Sequence, residues 1–295
     1  MPVHHIVVAT DESDAGRHAV HVAGNLAATL AARLTVLTAV PTAEPHPVRF
    51  APFIPPADPA GEPEEFARLR ECLGPDLPRP ERIGLAAAYG LPGIEIARFA
   101  EERQADLLVL GRKRRPELER LAVGDTADAV ARRSRIPCLF VPPEGRTPVR
   151  RVLAALDGTD RGLAVWTVAR DLARGLGAAI QGVTVEPRIP SEPADLAAGL
   201  PGGRSTRLAQ RLEAMTGGLA RRGTGSRRRD FPPQPALIVR RGDPVEEILA
   251  QVTATGADLL ALGYHRGGPP SLMLGTSVAR RLVHLAPTAT LTVPL

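Results

Sequence analysis

Short apolar runs alternate with amphipathic segments along the chain, and this alternation predicts strands and helices in turn. In the first half, five apolar runs are typical of strands: HIVVAT, LTVLTAV, RIGLAAA, DLLVLG and PCLFVP. The segments between them have apolar residues at helical spacing and predict helices at 13–30, 64–72, 92–102 and 125–133. The second half shows the same order, with strands at RVLAALD, AIQGVTV, ALIVRR, DLLALG and ATLTVP.

An internal repeat relates the two halves. Residues 90–111 align with residues 242–263 without a gap, and ten of 22 positions are identical. Upstream, residues 5–14 align with residues 151–160. The first helix of the second half carries Trp166 on its apolar stripe, so we predict that this side chain lies in the core and is not a ligand platform.

The connection between the halves separates two domains of similar length. VPPEGRTP, residues 141–148, has the prolines and the glycine typical of a linker. We therefore predict a first domain at 1–144 and a second at 149–295. Strict alternation of strand and helix implies right-handed crossovers and a parallel sheet covered by helices on both faces.

A parallel sheet of this kind binds ligands beyond the carboxyl ends of its strands. That geometry selects the residues that follow the first, second and fourth strands of each half. In the second half these are Asp157, Val185 and the loop from Gly263, and in the first half Asp11, Val40 and the loop from Gly111.

The segment GYHRGGPPSLMLGTS, residues 263–277, lies between a predicted strand and a predicted helix. Glycines let a backbone approach a ligand closely, and the free N–H groups at a helix start attract anions. The segment therefore has the order of a phosphate cradle, although a plain turn would have the same order. His265 within it contacts a ligand in the first case and lies at the surface in the second.

The composition describes a globular protein and argues against several functions. Of the 295 residues, 44% are hydrophobic and 3% aromatic, so aliphatic side chains fill a sizeable core. The net charge of +5 is mild, and no base-stacking aromatic platform accompanies the arginines, so we expect no nucleic-acid partner. Cys72 and Cys138 are far apart, and Cys138 is predicted in a strand core, so we expect no metal or redox site. No segment approaches the roughly 18 apolar residues of a membrane helix, so we expect a cytoplasmic protein.

Together these features resemble the universal stress protein family in its tandem form, over nearly the whole sequence. An aspartate follows the first strand of each half (Asp11, Asp157), a glycine precedes the third helix (Gly90, Gly242), and ADLLVLG or ADLLALG leads into a glycine loop. The resemblance implies an α/β fold of two doubly wound domains, similar to adenine nucleotide alpha hydrolases. Each domain would have a five-stranded parallel sheet in the order 3-2-1-4-5. CLFVP and ATLTVP would meet at the domain interface, and we expect two separate sheets there rather than one continuous sheet.

The family's nucleotide-binding members have the loop pattern Gly-x2-Gly-x9-Gly-[Ser/Thr], whose amides and hydroxyl contact phosphates. The first half retains Gly111 and Gly124 but has Arg114 and Asp125 at the other two positions. A carboxylate at the last position would cap the helix and repel a phosphate 4 Å away by about 4 kcal/mol at an effective dielectric of 20. The basic side chains from Arg112 onward would offset part of this repulsion.

The second half has a loop that is altered but chemically suitable for phosphate. Arg266 stands at the second glycine position, with Gly267 beside it. Counting from the first glycine assigns Thr276 and Ser277 to the last two positions, whereas anchoring on Gly275 makes the loop one residue short. We therefore expect any nucleotide in the second half.

The resemblance implies a stress-response regulatory protein that binds ATP or another adenine nucleotide, with or without Mg²⁺, and places Asp157 on the adenosine side. The alternative is a degenerate, nucleotide-free scaffold that acts through domain pairing, a homodimer and an unidentified protein partner. We expect no enzyme, because the sequence has no paired carboxylates, no Ser/His/Asp arrangement and no GxxxxGK[ST] motif.

Overall fold

The computed structural model describes residues 2–43, 46–51, 63–73, 82–112, 126–143, 145–186, 210, 237–265 and 278–295. The helices of this part are α1 Asp14–Leu30, α2 Glu64–Leu73, α3 Pro92–Glu102, α4 Thr126–Arg133, α5 Asp160–Leu176, α6 Pro244–Thr255 and α7 Val278–Leu285. The strands are β1 His5–Thr10, β2 Arg33–Val40, β3 Arg49–Ala51, β4 Ile83–Tyr89, β5 Leu107–Gly111, β6 Cys138–Val141, β7 Arg151–Ala155, β8 Ala179–Glu186, β9 Leu237–Arg241, β10 Leu259–Tyr264 and β11 Ala289–Pro294. Among these residues, no helix is both long and apolar enough to cross a membrane.

The strand order confirms the predicted α/β fold in both halves. The first half has β4-β2-β1-β5-β6 and the second has β9-β8-β7-β10-β11, which is the order 3-2-1-4-5 in each. Neighbours within each set are parallel. The short strand β3 is an addition to the prediction and pairs with β4 in the antiparallel direction at the edge of the sheet.

The two halves share one continuous sheet, joined through their last strands. β6 and β11 pair in the antiparallel direction, and Leu139 stands opposite Leu291. The predicted place of these strands is therefore confirmed, and the expectation of two separate sheets is wrong. The physical reason is that each strand would otherwise expose a row of unpaired N–H and C=O groups, which the other strand satisfies.

Helices start and end where the sequence supplies suitable groups. The Asp243 carboxylate accepts hydrogen bonds from the Val245 and Glu246 amides at 3.0 and 3.1 Å, and Pro244 occupies the first turn of α6. Gly242 precedes them with φ of 152°, a conformation that L side chains rarely adopt. The Gly-Asp-Pro sequence is thus a turn from strand to helix.

The core continues across both halves on one face of the sheet. There α1, α2 and α5 cover a single cluster of buried side chains, which includes Trp166 at 1% exposure as predicted. On the other face, α3 and α4 cover one cluster and α6 covers another. Cys138 is also buried as predicted, and burial raises the pKa of its thiol to about 12.

His5 at the start of β1 predicts a pH-dependent stability. Its Nδ1 donates to the Arg103 carbonyl at 3.1 Å, and its Nε2 lies 2.9 Å from the Thr35 hydroxyl, which can donate to the neutral ring. Burial lowers its pKa from the ordinary 6.5, more than the carbonyl of Arg103 raises it. Below pH 6.5 His5 takes up a proton in the unfolded chain but stays neutral in the folded chain until the pH reaches its lower folded pKa. The contribution of neutral His5 to the free energy of unfolding is therefore present above pH 6.5 and is lost as pH falls through the folded pKa.

We therefore expect the free energy of unfolding in urea to fall less between pH 7.5 and pH 5.5 in His5→Gln than in the parent protein. His21→Gln on the exposed side of α1 is the matched control, and it should keep the parent's pH dependence. Equal slopes for the parent and His5→Gln would contradict the role of this ring.

Candidate functional site

A cavity of about 550 Å³ opens at the carboxyl ends of the strands of the second half, where the fold class places ligands. Asp157, Val185 and Gly263 lie in its wall, so the structure brings together the three described residues that the sequence selected there. His265 also lines it, and its Nδ1 is 3.4 Å from Arg161 Nη1. Much of the remaining wall is aliphatic.

The first half has a matching cavity of about 470 Å³. Asp11, Val40 and Gly111 lie in its wall, as the sequence indicated. Because β6 and β11 are antiparallel, the strands of the two halves run in opposite directions. The two cavities therefore open at opposite edges of the sheet.

The aspartate of each cavity is held by the turn that starts the following helix. Asp157 Oδ1 accepts hydrogen bonds from the Thr159 amide at 3.0 Å and from its hydroxyl at 2.7 Å. That hydroxyl in turn accepts from the Arg161 amide at 3.2 Å and caps α5. Asp11 and Ser13 repeat the arrangement at the start of α1. The carboxylate is thus oriented by the backbone before any ligand arrives.

A glycine in the first helical turn lets each aspartate take this position. A Cβ added to Gly162 would lie 2.8 Å from Asp157 Oδ1, and one added to Gly16 would lie 2.9 Å from Asp11 Oδ1. Neither glycine was among the site residues predicted from the sequence. The pattern Asp-x-[Ser/Thr]-Asp-x-Gly, which occurs at both places in the repeat, would have identified them.

Gly111 at the end of β5 and Gly263 in β10 begin the predicted loops, and both lie close to neighbouring parts of the chain. A Cβ on Gly111 would lie 2.4 Å from the Ala15 carbonyl oxygen, so β5 and α1 approach too closely for a side chain. At Gly263 the same atom would lie 2.4 Å from Leu295 Cδ1. Gly111 would be required by the fold with or without a phosphate, because its neighbours are backbone atoms, whereas the Leu295 side chain can shift to make room at Gly263.

The rest of the predicted loop positions lie outside the described residues. They are Gly124 and Asp125 in the first half and Arg266, Gly267, Gly275, Thr276 and Ser277 in the second. Strand pairing nevertheless favours one of the two registers. Leu108 pairs with Cys138 and Leu260 pairs with Thr290, and each second-half residue stands 152 positions after its counterpart. Counting through loops of equal length, Thr276 and Ser277 correspond to Gly124 and Asp125.

The two cavities differ in the charge of their walls. Besides its turn aspartate, the first has Glu12 and Arg68 among the described residues, and these two pair at 3.2 Å. The second has the guanidiniums of Arg132 and Arg280 instead. The described wall is therefore acidic in the first cavity and basic in the second, which favours an anionic ligand in the second.

Arg132 and Arg280 come from different halves and meet at a buried carboxylate. Asp128 on α4 is 4% exposed, and its Oδ2 is 2.8 Å from Arg280 Nη2 on α7 and 3.0 Å from Arg132 Nη1. Burial alone would raise the pKa of Asp128, but the adjacent His284 ring and the two guanidinium charges outweigh it and lower that pKa. The ionised carboxylate thus faces two permanent positive charges.

Arg112 corrects one of the sequence expectations. It is 8% exposed, and its guanidinium donates to the backbone carbonyls of His284 and Ala286 in the second half. The expectation that its charge would offset repulsion at the first cavity is wrong, because the side chain ends at the interface between the halves.

Comparison with known proteins agrees with the internal repeat of the chain. The sequence profile of the universal stress protein family matches residues 2–142 and again residues 148–294. The chain belongs to the universal stress protein family. Two matches in one chain confirm the tandem form that the sequence indicated.

Two solved structures described as universal stress proteins share the fold over nearly the whole chain. One from Archaeoglobus fulgidus is 15% identical, with a TM-score of 0.67, and the match covers 98% of this chain and 97% of that one. A protein from Pseudomonas aeruginosa is 13% identical, with a TM-score of 0.62 and coverage of 99% and 93%. A universal stress protein solved in complex with cAMP is 28% identical, covers 49% of this chain with 100% of its own length, and has a TM-score of 0.36.

A curated relative is similar over a short segment. A universal stress protein of Methanocaldococcus jannaschii is 40% identical over 52 residues, which are 18% of this chain. The aligned segment spans 31% of that relative's length.

Proposed function

We propose that this universal stress protein binds one adenine nucleotide, in the cavity of its second half, and acts as a regulatory protein in a stress response. The observation that supports the proposal best is the wall of that cavity, which combines aliphatic side chains, one oriented aspartate and two guanidiniums. A nucleotide matches these three features: the flat aromatic face of its base suits the aliphatic side chains, its sugar hydroxyls suit the aspartate, and its phosphates suit the guanidiniums.

In this proposal the adenosine lies against Asp157 and Val185. Val185 and Ile248 supply apolar surface for a base, and the carboxylate accepts hydrogen bonds from the ribose hydroxyls. The cavity volume of about 550 Å³ is in the range usual for small-molecule sites. The first cavity is nearly as large but acidic, which favours the second for an anion.

We propose no catalytic activity for the protein. In the described wall of the second cavity, Asp157 is the one carboxylate, and there is no Ser, Thr, Cys or Lys side chain. The wall also holds the His265 ring and the Tyr264 phenol, but among the described residues the Asp157 carboxylate hydrogen-bonds to Thr159 alone, whose hydroxyl caps α5. Asp157 thus lacks the hydrogen-bonded base or nucleophile that acid–base or nucleophilic catalysis uses.

The proposal predicts one bound nucleotide per chain. Protein purified without added nucleotide and then denatured should release an adenine compound, identified by absorbance and mass spectrometry. After removal of that compound, calorimetric titration with ATP should give a stoichiometry of one, and Asp157→Asn should weaken ATP and adenosine alike. Asp160→Asn, on the exposed first turn of α5, is the matched control and should bind as the parent does.

The alternative, a nucleotide-free scaffold, gives the opposite results. Absence of any released compound together with no heat on titration with ATP, AMP or adenosine would overturn the nucleotide proposal. Two equal sites per chain would overturn its assignment to the second half.

A further inference from the structure

The wall of the second cavity contains a side chain from the first half. Arg132, near the end of α4, lies in it beside Arg280 of α7. We propose that Arg132 is a binding residue for the anionic part of the ligand in the second cavity, so that this site is complete only when the first half is docked against it. The proposal rests on the proposed function, whose ligand carries phosphate.

Sheet geometry explains how Arg132 reaches the other half. α4 leads into β6, so its last turn lies near the start of that strand. β6 is antiparallel to β11, and Cys138 at the start of β6 stands opposite Thr292 near the end of β11. The end of α4 is thereby brought to the edge of the sheet where the second cavity opens.

The charges around Asp128 favour an anion at Arg132. One carboxylate lies within 3.0 Å of both guanidiniums, which leaves one positive charge in excess within this cluster of three side chains. The Arg280 side chain is 7% exposed, whereas that of Arg132 is 31% exposed. A ligand phosphate can therefore contact Arg132 while the buried pair of Asp128 and Arg280 stays intact.

The first cavity has no equivalent contribution among the described residues. His284 stands 152 positions after Arg132 and occupies the corresponding place on α7. Its ring lies 3.6 Å from Asp128, and no described second-half residue lines the first cavity. Because α4 has arginine where α7 has histidine, a positive side chain from the other half lines the second cavity but not the described part of the first.

The test is a comparison of Arg132→Gln with Arg133→Gln. Arg133 is the next residue of α4, is exposed, and changes the net charge by the same amount. By calorimetry, Arg132→Gln should raise the Kd for ATP about ten- to hundredfold, the effect of one charge-assisted hydrogen bond, and leave the Kd for adenosine unchanged. Arg133→Gln should change neither Kd. Arg132→Lys, which keeps the positive charge, should bind ATP almost as tightly as the parent. Its Kd for ATP should also rise with salt concentration as the parent's does.

The outcomes separate this inference from the proposed function. If the parent binds ATP and Arg132→Gln binds it as tightly as Arg133→Gln does, the role of Arg132 is overturned and nucleotide binding stands. If Arg132→Gln weakens adenosine as much as ATP, the residue acts through structure and the inference is also overturned. Titration with tripolyphosphate covers the case in which the parent does not bind ATP. If the parent then binds tripolyphosphate and Arg132→Gln does not, an anion site at Arg132 is supported and the nucleotide proposal is overturned. Absence of binding by both probes overturns both.

Discussion

Replacing Asp128 by Asn is expected to lower the free energy of unfolding by about 3–5 kcal/mol, the usual effect of removing one partner of a buried ion pair. The amide keeps the size of the side chain but not its charge. Arg280, which is 6% exposed, would then stay buried without the carboxylate that lies 2.8 Å away. Because the two residues belong to different halves, the loss falls on the interface. Unfolding in urea at pH 7, followed by circular dichroism, measures it.

Two further variants show whether the charge is responsible. Asp14→Asn, on the exposed first turn of α1, should cost no more than about 1 kcal/mol. Asp128→Leu combined with Arg280→Met removes both charges and should recover most of the lost stability, since well-packed apolar residues often replace a buried pair without loss. A loss in Asp128→Asn no larger than that in Asp14→Asn would show that the pair does not hold the halves together.

The same carboxylate contributes to the pH dependence of stability. Its folded pKa is lowered from the ordinary 3.8, so its contribution is present above about pH 3.8 and is lost as pH falls through the folded value. The free energy of unfolding of Asp128→Asn should therefore fall less below pH 3.8 than that of the parent.

Local patterns along the chain were sufficient to predict most elements and their order. The predicted helix at 92–102 matches α3, and the strand predicted at HIVVAT matches β1, because the period of apolar residues depends only on neighbours in sequence. The residues after the strands of each half, such as Asp157 and Val185, could be assigned to a cavity because parallel strands end at one edge.

Contacts between the halves could not be predicted in the same way. In sequence, Asp128 and Arg132 form an i,i+4 pair typical of a solvated helix face. Only the pairing of β6 with β11 brings α7 against α4 and makes this face an interface. The continuous sheet and the position of Arg112 were missed for the same reason, since both depend on groups more than a hundred residues apart.

A carboxylate placed in the second cavity is expected to weaken ATP binding strongly. Val185 is the last residue but one of β8, is partly buried and lines the cavity. Two unit charges 4 to 8 Å apart repel by about 4 to 2 kcal/mol at an effective dielectric of 20, so Val185→Glu should raise the Kd for ATP roughly 30-fold to nearly 1,000-fold. Calorimetric titration with ATP measures this, and thermal unfolding of each variant confirms that it is folded.

A valine of the first half supplies the matched control, because Val40 ends β2, is also partly buried and lines the first cavity. Val40→Glu adds the same side chain at the opposite edge of the sheet, where the described wall is already acidic. It should therefore leave the affinity for ATP and the stoichiometry of one unchanged. Equal weakening by the two variants would place nucleotide in both halves, and weakening by Val40→Glu alone would place it in the first. Either result would contradict the argument that the guanidiniums of Arg132 and Arg280 direct an anionic ligand to the second cavity.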